Sequence, residues 1–247
     1  MSDVEIDKIN KPYLPMAAGY LSMRKATLII LACLTGGLSF AASSSPLSTP
    51  GLKMTLLAST FLGAAYSLPP LRLKRFPLFA AFCIVAVRGA ILNVGFYSHA
   101  LVAAFGGSTT NFLTTLKTDK KCQLVSLFFG TFGVVIALMK DVPDTEGDKK
   151  EKIRTLSVRI GRAKMFLIAR KILSALLLCF GGGFVHYGLT HTIPRFTAVG
   201  TLSLLCMGVC ENKGNKVNAT DSKSVFDYYM FLWNIFYLSY FLLPFCY

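Results

Sequence analysis

Long apolar runs recur throughout this 247-residue chain, and they constrain its fold more than any other feature. A transmembrane helix needs ~17–25 predominantly apolar residues. Hydrophobic residues make up 53% of the sequence and charged residues only 15%, whereas soluble domains carry about 25% charged residues. We therefore predict an all-α, integral membrane helical bundle of about seven spans, forming a single domain over residues 1–247. The candidate spans are 26–42, 54–68, 78–103, 122–139, 163–187, 196–210 and 226–246, of which the second and sixth are short.

The formal net charge of +14 is distributed over short segments between the apolar runs. A nucleic-acid-binding protein would instead present a basic stripe with interleaved aromatic residues, so we expect membrane lipid and no nucleic acid as a partner. The positive-inside rule accounts for the charge better. It predicts that segments 7–25, 72–75, 140–164 and 211–223 face the same side of the membrane, and only the loop 104–121 fits imperfectly.

An acidic cluster directly follows the fourth predicted span. Lys140 precedes four acids within eight residues, Asp141, Asp144, Glu146 and Asp148. Such acids repel one another unless cations neutralise them, and Mg²⁺ binds through carboxylate oxygens together with substrate phosphates. The cluster therefore indicates an open magnesium site, although a solvated loop with compensating lysines remains an alternative.

A second acidic cluster lies near the N-terminus. Asp3 and Asp7 repeat the four-residue spacing of Asp144 and Asp148, which places two carboxylates on one helix face. Alone, this pair is typical of an ordinary acidic N-terminus. Because both clusters are predicted on the same membrane face, a shared site for a metal-bridged diphosphate is possible.

A basic turn and a lone arginine supply the cations that a diphosphate needs. Tyr66 begins a Pro-containing segment that ends in Arg72, Lys74 and Arg75, and arginine binds phosphate oxygens bidentately. These residues could also serve only as topological anchors.

Arg88 lies within the third apolar run, where a charge costs at least ~2.5 kcal/mol. It should therefore face the bundle interior. There it could bind the diphosphate or an acceptor carboxylate, with Asn93 and Tyr97 on the same polar strip, or it could have a purely structural partner.

These motifs together resemble the UbiA-type prenyltransferases, and within them the homogentisate group of plants and algae. The resembling segments are 3–15, 66–75, 88–95, 140–161 and 228–240. The resemblance implies that Asp3, Asp7, Asp144 and Asp148 hold Mg²⁺, that Asp141 belongs to the same catalytic motif, and that Arg72, Lys74 and Arg75 bind the diphosphate. It implies transfer of a polyprenyl group from its diphosphate to homogentisate with decarboxylation, as in plastoquinone and tocopherol-type biosynthesis, at a plastid envelope membrane.

Two details refine this expectation. Segments 66–77 and 92–97 look closer to the solanesyltransferase branch than to the phytyl branch, although donor length stays open. The family's first motif opens with an Asn that would lie upstream of Met1, and its fold has nine spans. We therefore expect an N-terminally truncated chain lacking two spans, either an active enzyme or an impaired paralogue that binds prenyl diphosphate or a full-length partner.

Overall fold

The structure is a computed structural model that describes residues 4–10, 12–106, 111–150 and 155–246. All regular structure within these ranges is helical, which confirms the all-α prediction. The chain forms two compact units. The first holds the described residues up to Leu127 together with Lys150, and the second holds those from Phe128 to Lys149 and from Thr155 onward.

Twelve α-helices follow one another along the described residues, with a π-helical turn at Ala86–Ile91 and 3₁₀ turns at Leu73–Arg75 and Leu243–Cys246. The α-helices are α1 Val4–Asn10, α2 Met23–Ala42, α3 Pro50–Ser67, α4 Pro77–Val85, α5 Leu92–Phe105, α6 Phe112–Thr118, α7 Lys120–Lys140, α8 Thr145–Lys150, α9 Leu156–Ile160, α10 Arg162–Thr190, α11 Pro194–Asn215 and α12 Ser222–Leu242.

Seven helical segments in the described part of the chain have 18 residues or more, and each overlaps one predicted span. The third of them runs continuously from α4 through the π-helical turn into α5, over 29 residues. By length and composition, four of the seven could cross a membrane: Met23–Ala42, Pro77–Phe105, Lys120–Lys140 and Arg162–Thr190.

Side-chain caps and prolines define where several helices begin. Ser22, Thr49 and Asp221 precede α2, α3 and α12, and each accepts a hydrogen bond from a backbone N–H in the first turn. Pro50 and Pro194 begin α3 and α11, where a missing N–H costs nothing. These local signals explain why α3 begins earlier than its apolar run.

In the first unit, small residues bring α3 close to α5. A Cβ atom added at Gly51 would lie 2.8 Å from the carbonyl oxygen of Gly95, and one added at Gly95 would overlap the hydroxyl of Thr55. Thr55 and Ser98 are fully buried between these helices. The close approach places α3 directly against the π-helical turn.

In the second unit, aromatic side chains join α7 to α12. Phe129 stacks on Tyr240 with ring centroids 3.9 Å apart, and Phe236 meets Phe129 and Phe132 edge to face at 5.2 Å. Phe129, Phe132 and Phe236 are almost completely buried, whereas Phe241 is 76% exposed. The aromatic C-terminal helix therefore has a packing face and an outward face.

Candidate active site

The basic segment predicted to bind phosphate forms a compact turn after α3. Tyr66 lies in the last turn of α3, and the backbone N–H of Arg72 returns to the carbonyl oxygen of Leu68 at 2.8 Å. The 3₁₀ turn follows, with the N–H of Arg75 bonded to the carbonyl of Arg72 at 3.1 Å. Arg72 and Lys74 are half-buried and Arg75 is exposed. Three cations are thus presented within four residues of one turn.

Arg72 adopts the left-handed backbone conformation, with φ 37° and ψ 54°. A residue with a side chain occupies this region at an energetic cost, and such outliers cluster at functional sites. The turn therefore uses an arginine at a position where glycine would be less strained.

Arg88 lies inside the π-helical turn that separates α4 from α5. The turn is marked by the bond from the Leu92 N–H to the carbonyl of Val87, five residues earlier. Arg88 is half-buried and Gly89 is buried. π-Helical turns within α-helices occur frequently at functional sites. The lone arginine of the third span therefore occupies the irregular part of its helix.

Asn93 binds the backbone of the same turn. Its amide nitrogen donates to the carbonyl oxygens of Arg88 at 2.7 Å and Gly89 at 3.1 Å. The hydroxyl of Tyr97 donates to Asp119 at 2.9 Å. The assignment of Asn93 to substrate binding stays a prediction, and its amide nitrogen has a structural role.

The second aspartate motif follows α7 in the second unit. Asp144 immediately precedes α8, and the Asp148 N–H bonds the Asp144 carbonyl at 2.9 Å, so one helical turn joins them. Asp148 is only 8% exposed, while Lys140, Asp141 and Asp144 are half-buried. The backbone therefore begins a helical turn at Asp144, and the convergence of the two carboxylates stays a prediction.

The backbone of Asp141 is held by hydroxyl groups from both sides. Thr145 donates to its carbonyl oxygen at 3.2 Å and Ser157 at 2.8 Å. The neighbouring Val142 is completely buried. The irregular segment between α7 and α8 is therefore fixed through its main chain, which orders the start of the motif.

The first aspartate motif is described in part. Asp7 lies in α1 and is half-buried, whereas Asp3 lies outside the described residues. Glu5, on the same helix, pairs with Lys8 at 2.8 Å with both side chains exposed. The pairing of Asp3 with Asp7 and the roles of both residues stay predictions.

The predicted magnesium site has no closed set of protein ligands among the described residues. Among them, no three His, Cys, Asp or Glu side chains converge as metal ligands. Mg²⁺ commonly uses one or two carboxylates, with substrate phosphates and water completing its octahedron. The assignment of Mg²⁺ to Asp144 and Asp148 stays a prediction.

Comparison with known proteins decides the family. The model of the UbiA prenyltransferase family matches residues 1–235. The chain belongs to the UbiA prenyltransferase family. Among curated relatives, homogentisate phytyltransferase of Synechocystis sp. is 35% identical over 98% of this chain and 74% of its own length. Homogentisate solanesyltransferase of Arabidopsis thaliana is 36% identical over 98% of the chain and 60% of its own length.

The name of a third relative of this UbiA family chain specifies a different prenyl donor. Homogentisate geranylgeranyltransferase of Triticum aestivum is 34% identical over 98% of the chain and 57% of its own length. The chain thus spans about three fifths of the length of the plant relatives. No solved structure gives a significant match.

The UbiA family chain also contains an ion pair between a buried arginine and a half-buried glutamate, which was not predicted from the sequence. Arg170 of α10 is 9% exposed and bonds the carboxylate of Glu211 in α11. It also donates to the side-chain oxygen of Asn215 at 2.6 Å, and Ser174 donates to the other oxygen of Glu211. Arg170 was the sequence signal that could have predicted this ion pair, because an arginine within an apolar span requires a partner.

A second missed arginine contacts α8 directly. Arg162, at the start of α10, lies 3.5 Å from Glu146 and donates to the carbonyl oxygen of Thr220 at 2.6 Å. It therefore links the helix that carries Asp148 with the loop between α11 and α12.

Proposed function

We propose that this chain transfers a polyprenyl group from its diphosphate to homogentisate, with loss of the acceptor's carboxyl group as CO₂. The observation that carries the proposal is the family match over residues 1–235. It is supported by relatives whose names specify homogentisate with phytyl, geranylgeranyl and solanesyl donors.

The charged groups supply what departure of a diphosphate requires. Asp144 and Asp148, together with Asp3 and Asp7 of the first motif, would hold Mg²⁺. Bound Mg²⁺ would stabilise the negative charge that develops on the leaving diphosphate. Arg72, Lys74 and Arg75 would bind its oxygens, with Tyr66, Lys140 and Asp141 bordering the two motifs.

In the chemical step, the bond between the allylic carbon and the diphosphate oxygen breaks, and the bonding pair leaves with the oxygen. The electron-rich ring of homogentisate then forms the new carbon–carbon bond to the allylic carbon and loses its ring hydrogen as a proton. The acetate side chain releases CO₂, and the remaining carbon takes up a proton to become a methyl group. Arg88 would hold the acceptor's carboxylate, since a half-buried guanidinium favours a negatively charged partner.

The donor in this proposal is solanesyl diphosphate, and the setting is a plastid membrane. The donor rests on the resemblance of segments 66–77 and 92–97 to the solanesyltransferase branch. The similar identities to relatives with different donors, from 34% to 36%, support the acceptor more than the donor. Plant relatives named chloroplastic support the location.

The decisive experiment is a membrane-fraction assay with homogentisate and solanesyl, geranylgeranyl or phytyl diphosphate, in Mg²⁺ and in EDTA. We expect a prenylated, decarboxylated product with Mg²⁺, fastest with the solanesyl donor, and none with EDTA. Binding of the diphosphates without product from any donor would favour a non-catalytic binding protein. Undiminished product in EDTA would contradict the aspartate assignment.

The same assay with variants tests the carboxylate pair. We expect Asp144→Asn and Asp148→Asn each to lower the rate at least ~100-fold and to raise the Mg²⁺ concentration required, because each removes a metal-binding oxygen. Glu146→Gln is the matched control, since this acid lies in the same segment with its side chain 77% exposed. An equal loss in the control would argue against a specific role for the pair.

A further inference from the structure

We propose that Asn93 and Thr55 are positioning residues that hold the π-helical turn Ala86–Ile91 and thereby set the direction in which Arg88 leaves its helix. The role of Arg88 toward the acceptor rests on the proposed function. The role of Asn93 and Thr55 toward the turn rests on contacts within the first unit.

A π-helical turn needs such support because it inserts one residue into an α-helix. Each α-helical residue turns the chain by about 100°. Reversion to regular α-helix would therefore rotate the helix before the turn, with Arg88, by roughly that angle relative to α5. The hydrogen bond from the Leu92 N–H to the carbonyl of Val87 spans five residues instead of four, which shows the inserted residue.

Asn93 supports the turn from its C-terminal side. Its amide nitrogen carries two hydrogens, and it donates to two carbonyl oxygens, those of Arg88 at 2.7 Å and Gly89 at 3.1 Å. The side-chain NH₂ group of Asn93 therefore stabilises the turn. It is the same group with which Asn93 would donate a hydrogen bond to a substrate.

Thr55 supports the turn from α3. Its hydroxyl lies 2.8 Å from the carbonyl oxygen of Gly51 and 3.4 Å from that of Ile91, the last residue of the turn. Thr55 is 1% exposed, and it fits against α5 only because residue 95 is glycine. A hydroxyl carries one hydrogen, so Thr55 shares it between the two carbonyl oxygens, and the longer contact is the one that reaches the turn from a neighbouring helix.

Kinetics of single and double variants separate positioning from direct contact. We expect Arg88→Ala to raise the KM for homogentisate by about 10- to 100-fold, the effect of losing a hydrogen bond to a charged group. We expect Asn93→Leu to raise it by about 10-fold, with a smaller effect on kcat and none on the KM for the prenyl donor. Addition of Asn93→Leu to Arg88→Ala should then change the KM for homogentisate by less than about two-fold.

Two kinetic results would overturn the proposal. If the two substitutions multiply their effects, Asn93 acts on the acceptor independently of Arg88. If Asn93→Leu leaves the KM for homogentisate unchanged while Arg88→Ala raises it, the turn does not depend on Asn93.

Amide hydrogen exchange of the purified chain tests the turn even if homogentisate is not the substrate. We expect faster exchange over residues 86–93 in Asn93→Leu and Thr55→Val, and wild-type exchange in Thr55→Ser, which keeps the hydroxyl. Thr201→Val is the matched control, since the Thr201 hydroxyl bonds the carbonyl four residues earlier at 2.8 Å on an exposed face of α11. Wild-type exchange in Asn93→Leu would overturn the proposal, whereas absence of turnover by the wild type would contradict only the proposed function.

Discussion

At the scale of single residues, Arg72 combines a cationic side chain with a left-handed backbone, φ 37°. A non-glycine residue in such a conformation costs roughly 1–3 kcal/mol. Glycine adopts it without that steric cost but loses more chain entropy on folding. The contribution of the guanidinium to binding can therefore be distinguished from the contribution of the backbone strain to stability by comparing two variants that both remove the charge.

We expect Arg72→Ala and Arg72→Gly to weaken the apparent affinity for prenyl diphosphate equally, because both lose the guanidinium. The glycine variant should nevertheless be the more stable of the two by about 1 kcal/mol, since only alanine retains the strain. KM for the donor and thermal unfolding in detergent measure the two effects. An alanine variant as stable as the glycine variant would show that the turn relaxes without cost.

At the scale of helices, α10 and α11 pack closely through two glycines. A Cβ atom added at Gly200 would lie 2.6 Å from both the carbonyl oxygen of Gly181 and the N–H nitrogen of Val185. Both of those atoms belong to the backbone and cannot move aside as a flexible side chain would. An added methyl group must therefore separate the helices.

We expect Gly200→Ala to lower the free energy of unfolding by about 1–3 kcal/mol through overpacking. Gly208→Ala, in the same helix, has nothing within 4 Å of the added Cβ and should raise stability by roughly 0.5–1 kcal/mol, the usual helix preference for alanine. Thermal unfolding of the two variants in the same detergent gives the comparison. Equal destabilisation would point to a general loss of helix flexibility instead of a packing clash.

The helices could be predicted from sequence because their signals are local. Apolar runs mark the seven long helical segments, and the caps at Thr49 and Asp221 lie within a few residues of the helices they begin. The helical turn that joins Asp144 to Asp148 likewise depends only on their four-residue separation. Such features depend on neighbours along the chain.

The remaining features depend on partners distant in sequence. Arg170 and Glu211 are separated by 41 residues, and Thr55 and Ile91 by 36. The π-helical turn changes the register by one residue, which hydropathy does not detect. The sequence therefore indicated that Arg88 and Asn93 belong to one strip, but not that the Asn93 amide binds the backbone around Arg88.

At the scale of the whole molecule, the charge pattern makes a prediction about topology. Arg72, Lys74 and Arg75 lie in one short connection and the lysines of 211–223 in another, whereas the connection before α3 carries no Lys or Arg over residues 43–52. Short basic loops stay on the side from which the chain inserts. The basic turn and the loop before α12 should therefore share one side of the membrane.

We expect single cysteines at Leu71 and Lys216, introduced in a cysteine-free background, to react with an impermeant maleimide from the same side of sealed vesicles. Cysteines at Ser44 and His191 should react only from the opposite side. All four positions are exposed, so labelling in disrupted vesicles controls for intrinsic reactivity. If Leu71 and Lys216 react from opposite sides, an odd number of crossings separates them. The helical hairpin of α10 and α11 places the second aspartate motif on the same side as Lys216. In that case the basic turn and this motif would lie on opposite sides and could not act on the same diphosphate.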